Sequence, residues 1–388
     1  MPLRRQGLAQ RRKTVGHTQE SLADRLGVDR TTVVRWERAE SEPQPWVRRG
    51  LAQELQVSVD ELASLLADVA DTAIRRPERL VYALRNPRIA DLATVTQLQQ
   101  AVDVLTRQYN SAPATSLLPA AGRLHTEISH LRAQANGEGV RKALCAAESE
   151  SALLMGQLIW DASQRYDGVT ATAHYKHAAS SAQQSGDLFL EAYASLRTCY
   201  ISLYGNQDPR SGLAQATLAA ESAARAESKA LSGIALLHAG EAHAMLGDRA
   251  DCEQALSKAE TLLSQINESD PGRDYALAGQ FERLAGSCYL SLGEPTKAQQ
   301  LLQPLLAHDF SQPKLQAIAL GNLSLALVQQ RQVEDAVTTL HGAIDIAERT
   351  RGGGAMNVIF RVIKELRPWR SRADVNDVQE RALTLVTP

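Results

Sequence analysis

Apolar positions along this chain repeat at three- and four-residue steps, which is the period of an amphipathic helix. The clearest short example runs from Thr18 to Trp36, TQESLADRLGVDRTTVVRW. Leu22, Ala23 and Leu26 share one face, so the spacing predicts a helix turned toward a core. Thr18 precedes it as an N-cap whose hydroxyl accepts from an early free backbone N–H. Glu20 and Ser21 fill the first turn without making the full capping box. Gly27 supplies the left-handed backbone that stops the helix. Asp29 caps the next helix, whose buried side is Val33, Val34 and Trp36. Arg30, Thr31, Thr32, Arg35 and Arg38 are left outward. A short helix held by its neighbours, with arginines and hydroxyls outward, is what major-groove reading requires. On most helices such arginines are simply a solvated face.

The flanking pattern predicts more helices. Leu3 to Val15 is amphipathic through Leu3, Leu8 and Val15, and Arg11, Arg12 and Lys13 close it. Those charges suit the negative end of the helix dipole and can also meet phosphates. Pro43 and Pro45 break the chain, Trp46 to Leu55 forms a fourth helix, and Ser58 caps a fifth. Residues 67–90 lose the pattern and carry Arg75-Arg76-Pro77 and Asn86-Pro87, so they read as a partly helical linker. Helical periodicity returns from Ile89 to about Leu131, with a break at Pro113.

From Gly137 onward the chain repeats itself. A small–x3–large–x2–small triplet recurs as Ala171/Tyr175/Ala178, Gly212/Ala216/Ala219, Cys252/Leu256/Ala259, Ala298/Leu302/Leu305 and Ala336/Leu340/Ala343. The first members are 41, 40, 46 and 38 residues apart. A further apolar helix precedes each triplet, with turns such as Leu246-Gly247-Asp248. Two helices per unit, with small residues where they pack closely, predict an all-α solenoid. Its concave face, lined by the first helix of each pair, is expected to present Trp160, Arg197, Glu241, Gln280, Arg283 and Ser287. That polar surface suits a peptide carboxylate or another anion. On the plainer reading, Arg197 and Arg283 pair with carboxylates inside the solenoid and Trp160 is core. Gly352-Gly353-Gly354 reads as a loop or hinge before a helix from Asn357 to Leu366 that caps the array.

Composition adds an asymmetry. The net charge is −2, yet residues 1–49 hold eleven Arg/Lys against six acids, so the head is +5 and the remainder −7. A basic head on an acidic body fits DNA at one end and a different partner at the other. The four cysteines are isolated, so neither zinc nor disulfides are expected, only small buried hydrophobes in a reducing cytoplasm. No apolar run is long enough for a membrane span, and the first residues lack a signal-peptide core. There is no HExxH, no GxSxG and no GxxxxGK[ST]. His238 and His243 lie five apart, a poor spacing for one metal. We therefore expect no catalysis, cofactor or metal, and a cytoplasmic, nucleoid-associated protein.

The run RRK…G.TQ..LA..LGV….TVVRWE….P resembles the Cro/C1-type (XRE) helix-turn-helix. The matching positions are Arg11, Arg12, Lys13, Gly16, Thr18, Gln19, Leu22, Ala23, Leu26, Gly27, Val28, Val33, Trp36, Glu37 and Pro43. Ala39 departs from the glycine that the family often has after this helix. The resemblance implies groove contacts from Arg30, Thr31 and Arg35, with Thr32 beside them. It implies a phosphate or base-edge contact from Gln19. It also implies an internal ion pair between Arg12 and Glu37, although Arg12 belongs as well to the basic cluster expected at DNA. The later triplets resemble tetratricopeptide repeats with a stretched period. Together they imply three parts: a DNA-binding domain over 1–66, a linker over 67–90 and a repeat domain over 91–388. The implied function is a sequence-specific transcription regulator. Its partners are a pseudo-palindromic duplex operator, a second copy in a homodimer, and a small-molecule, peptide or protein effector. The alternative is an interaction scaffold whose head binds DNA weakly and without sequence preference.

Overall fold

The computed structural model describes residues 5–38, 41–67, 78–307 and 312–385. Regular structure among them is helical throughout. The chain divides into two compact units, Met1–Arg85 and Asn86–Pro388.

The first unit contains α1 (Gln6–Thr14), α2 (Gln19–Leu26), α3 (Arg30–Glu37), α4 (Pro45–Glu54), α5 (Val59–Ala67) and α6 (Glu78–Arg85). Its core gathers Leu8, Leu22, Ala23, Val33, Trp36, Leu51, Leu55, Leu62 and Leu66. Val34 is only half-buried. Two cap expectations are corrected. At α2 the Thr18 hydroxyl accepts from Ser21 N at 3.0 Å, and Thr18 N donates to the Ser21 hydroxyl at 2.9 Å. A full capping box is present because serine supplies the return bond that glutamate usually makes. Asp29 occupies the N-cap of α3 in extended backbone, but its side chain makes no cap bond. Ser58 and Glu61 form the reciprocal pair at α5. Gly27 stops α2 at φ 65°. Leu3, Ala39 and the Arg75-Arg76-Pro77 stretch lie outside the described residues.

The second unit opens with α7 (Leu92–Tyr109) and α8 (Ala114–Gln134). Five antiparallel pairs follow: α9 (Glu138–Ala162) with α10 (Gly168–Ser185), α11 (Leu188–Tyr200) with α12 (Pro209–Arg225), α13 (Lys229–Leu246) with α14 (Arg249–Leu263), α15 (Gln280–Ser291) with α16 (Pro295–Leu302), and α17 (Pro313–Gln329) with α18 (Val333–Thr350). α19 (Gly353–Glu365) and α20 (Ala373–Leu383) end it. All five sequence triplets begin on the second helix of a pair, and every member is buried. The large residues of two triplets, Tyr175 and Leu302, enter notches on the first helix. A Cβ placed on Gly156 would lie 2.5 Å from the Tyr175 ring, and one on Gly286 would lie 2.7 Å from Leu302. Close backbone approach, not helix propensity, is what these glycines serve. Gly186, Gly247 and Gly293 take the left-handed conformation in the turns between helices.

The array comes round on itself. Asp161, near the end of α9, pairs with Lys314 Nζ at 2.8 Å and accepts from Gly353 N at 2.7 Å. α19 packs on α9 as well as on α17. Gly353 therefore begins a helix and is not a free hinge; a carboxylate 192 residues earlier in sequence caps it. Lys314 also lies 3.8 Å above the Tyr109 ring. Asp161 is 5% and Lys314 6% exposed.

Removing Asp161 leaves a buried, unpaired ammonium, and breaking such a pair costs roughly 3–5 kcal/mol. Asp161→Ala is expected to lower the unfolding free energy, read from urea denaturation, by that much, and the double variant Asp161→Asn/Lys314→Met, which removes both charges, by distinctly less. Equal losses in the two variants would sink this account.

A second expectation concerns pH. Burial pushes the Glu150 carboxyl of α9 up to about 7, against a 3.4 Å hydrogen bond from Gln99 and with help from Asp187 and Asp103. Its folded value lies above its unfolded one, so the folded state holds the proton longer. Stability from this group is therefore lost as pH rises from about 4.5 to 7. Glu150→Gln is expected to stabilise by about 1–3 kcal/mol at pH 8 and by nothing at pH 4, read from denaturation curves at both.

Candidate nucleic-acid interface and inner face

In the first unit, α3 is fixed from within. Val33 and Trp36 seat it in the core. The Glu37 carboxylate at its end accepts from Arg12 Nε at 2.6 Å and from the Gln19 amide at 2.7 Å. Arg12 also donates to the His17 carbonyl at 2.6 Å. One carboxylate thus ties the end of α1, the start of α2 and the end of α3. Arg12 and Glu37 are 6% and 8% exposed. Arg12 therefore gives its hydrogen bonds inside the domain, as the resemblance implies. Arg11 turns inward too, donating to the Leu55 and Gln56 carbonyls at 2.8 and 2.6 Å, where it caps the end of α4. Of the basic cluster only Lys13 stays fully exposed.

Arg30, Thr31 and Arg35 lie exposed on the opposite side of α3, and Thr32 is half-buried beside them. Among the described residues no ion pair engages Arg30 or Arg35. Gln19 is half-buried, with an amide hydrogen committed to Glu37. Sequence reading missed Arg5. Its guanidinium, 2% exposed, donates to the carbonyls of Leu66, Trp36 and Ser41. It ties the end of α5 to the end of α3.

In the second unit, four of the six expected inner-face residues sit in one connected network. Trp160 is buried, and its indole N–H donates to the Arg165 carbonyl at 3.3 Å. Arg197 donates to the Tyr175 hydroxyl at 3.3 Å and lies over the Tyr200 ring at 4.9 Å. Glu241 accepts from Tyr204 and lies 2.8 Å from His238 Nδ1, and Ser287 bonds it as well. Burial alone pushes the Glu241 carboxyl up, but these three bonds outweigh it and hold the group below its ordinary value. Arg283 is half-buried and acts on the Tyr200 phenol through its charge. Gln280 is spent on the turn that precedes its helix, accepting from Leu277 N at 3.1 Å. Among the described residues Arg197 pairs with no carboxylate, so the plainer reading of that residue is corrected: its neighbours are tyrosines.

The structure adds Tyr109, Arg165, Tyr204, His238 and Lys314 to this face. The spacing Phe189, Tyr193, Arg197, Tyr200, Tyr204 follows one side of α11 and the π-helical turn after it. That stripe was the available signal. Elsewhere, His243, Asp248 and Asp251 at the α13–α14 turn bring three donor atoms within 4.8 Å of one another. No helix among the described residues is long and apolar enough to cross a membrane.

Residues 8–62 match the family model described as helix-turn-helix. Among solved structures, the chain is similar to Bacillus thuringiensis PlcR in complex with the peptide PapR7 and DNA. The identity is 14%, the TM-score is 0.35, and the match covers 79% of this chain and 97% of that one. No curated protein matches.

Glu37→Ala is expected to strand the buried Arg12 and cost about 3 kcal/mol in the first unit. Amide exchange should quicken first in α2 and α3. A change of under 0.5 kcal/mol would show that the pair does not hold α3.

Proposed function

Because residues 8–62 form a helix-turn-helix domain, we propose that the chain is a sequence-specific DNA-binding transcription regulator. The observation that carries this is the two-sided character of α3. Its inner side is locked by Trp36 and the Arg12–Glu37–Gln19 cluster, and its outer side offers Arg30, Thr31, Thr32 and Arg35. In this reading Arg30 and Arg35 take base edges and phosphates in the major groove, Thr31 and Thr32 line it, and Gln19 touches the backbone at the groove's rim. Two such heads on a two-fold dimer read a pseudo-palindrome with half-sites about one helical turn apart. The helical unit dimerises and takes an effector on its inner face. Effector binding shifts the unit between arrangements and so changes operator affinity.

Selection of sites from random duplex DNA at physiological salt tests this. The full chain is expected to enrich a palindromic motif, and Arg30→Ala/Arg35→Ala is expected to lose that enrichment, at about 1–3 kcal/mol per base-reading arginine, while keeping its helical content. Binding without enrichment, fading steeply with salt in both proteins, would instead support the scaffold with a weakly attracted head.

A further inference from the structure

The inner face of the helical unit holds more positive than negative charge, and two arginines carry the surplus. Arg165 follows the end of α9; its guanidinium lies 4.6 Å from the Trp160 ring centre and 5.5 Å from that of Tyr204. Arg197 lies 4.9 Å from Tyr200 and 5.6 Å from Tyr175. Tyr200 and Tyr204 are one turn apart, with ring centres separated by 6.0 Å. Two guanidinium groups are thus stacked on consecutive tyrosines of one helical stretch, about a turn apart. The Nε of each is buried and has no hydrogen-bond partner among the described residues, and Arg197 is 9% exposed.

The carboxylates nearby give their hydrogen bonds elsewhere, although the charge of Asp161 still reaches Arg165. Asp161 serves Lys314 and Gly353 N, and Glu241 serves His238 and Tyr204. Stacking on tyrosine returns part of what burying a guanidinium takes, but it leaves the two Nε–H groups unused. An arginine fork is matched by a planar carboxylate or by a phosphate, and an oxyanion between two forks satisfies both.

We propose that this face binds a small organic anion, carboxylate- or phosphate-bearing, through Arg165 and Arg197, with Tyr200, Tyr204 and Trp160 as walls. The assignment rests on the reading of the helical unit as the sensing part. A small ligand is indicated because the face is bounded. At one side the Asp161–Lys314–Gly353 junction closes the array, and Gly354 packs against the Arg165 guanidinium so closely that a Cβ would collide with it. At the other, Tyr275 from the α14–α15 connection packs on Phe189 and Tyr193, with ring centres 5.4 and 4.8 Å away. An extended peptide needs an open trough; packed contacts flank this stretch on both sides.

The test uses the full chain in low-salt buffer, with benzoate, phenyl phosphate and inorganic phosphate as probes, read by calorimetric titration and by the melting midpoint. At least one probe is expected to bind saturably and raise the midpoint by several degrees at 10 mM-scale concentration, about 100 times its Kd or less. Benzoate against phenyl phosphate decides between carboxylate and phosphate. Arg197→Gln and Arg165→Gln should each weaken binding at least tenfold. Arg197→Lys, which keeps the charge without the fork, should retain an intermediate affinity and serves where the glutamine variant does not fold. Arg210→Gln on the exposed side of α12 should change nothing. Absence of binding by all three probes overturns the proposal, as does equal binding in the arginine variants. Site selection on DNA is read in parallel. DNA recognition without anion binding sinks this assignment alone, whereas anion binding in a chain that selects no DNA sinks the regulator reading alone.

Discussion

The helical unit depends on one buried carboxylate. Asp161 neutralises Lys314 and caps α19 through Gly353 N, so the first inner helix of the array is held to its last two. A solenoid is ordinarily a one-dimensional stack in which each repeat touches only its neighbours. Here a contact 153 residues apart in sequence turns the stack into a loop. The consequence is electrostatic as much as geometric. With its hydrogen bonds given to Lys314 and Gly353 N, Asp161 acts on Arg165 through its charge alone, and the Nε–H groups of Arg165 and Arg197 stay unused.

The first unit uses the same device on a smaller scale. Glu37 receives Arg12 and Gln19, and so joins three helices that share only a small apolar core. The same chemistry explains why a short α3 keeps a fixed orientation. An eight-residue helix is marginal in isolation, and tertiary contacts at both its apolar side and its C-terminal carboxylate hold it. In each unit a buried charge specifies which elements meet, and the exposed or unpaired cations are left to act on something else.

Much of this was legible in the sequence because it depends on local spacing. Gly27 had to be left-handed, Leu22 and Trp36 had to point inward, and the small–large–small triplets had to sit where helices approach closely. The Cro/C1 resemblance supplied the Arg12–Glu37 pair, which no spacing argument reaches across 25 residues. What stayed hidden depends on distant partners. Nothing near Gly353 announces that Asp161 caps it. Arg11 looks like a phosphate contact until the end of α4 is placed beside it. Arg165 sits in a turn with φ 68°, outside the helical periodicity that picked out Arg197, and only the folded chain lays it over Trp160. Ser21 carries no capping-box signal in sequence, because the return bond is ordinarily made by glutamate or glutamine.

The energetics of the closed array bear on how a bound ligand is felt. A ligand changes a conformational equilibrium only by its difference in affinity for the two states. At a hundred times its Kd, a ligand bound by one state alone adds about 2.7 kcal/mol to that state. The Asp161–Lys314 pair, like other buried pairs, resists disruption by a few kcal/mol, although its net worth against a well-packed apolar pair is small. The two quantities are comparable. An anion that relieves the Arg165–Arg197 surplus therefore acts on the same balance that Asp161 sets, because both depend on α9 lying against α17 and α19. Arg165 follows the last turn of α9, within four residues of Asp161, so a displacement of one moves the other. Arg165 and the junction at Asp161 are mechanically one element, which is the condition for a small ligand to be read out by a change in the array.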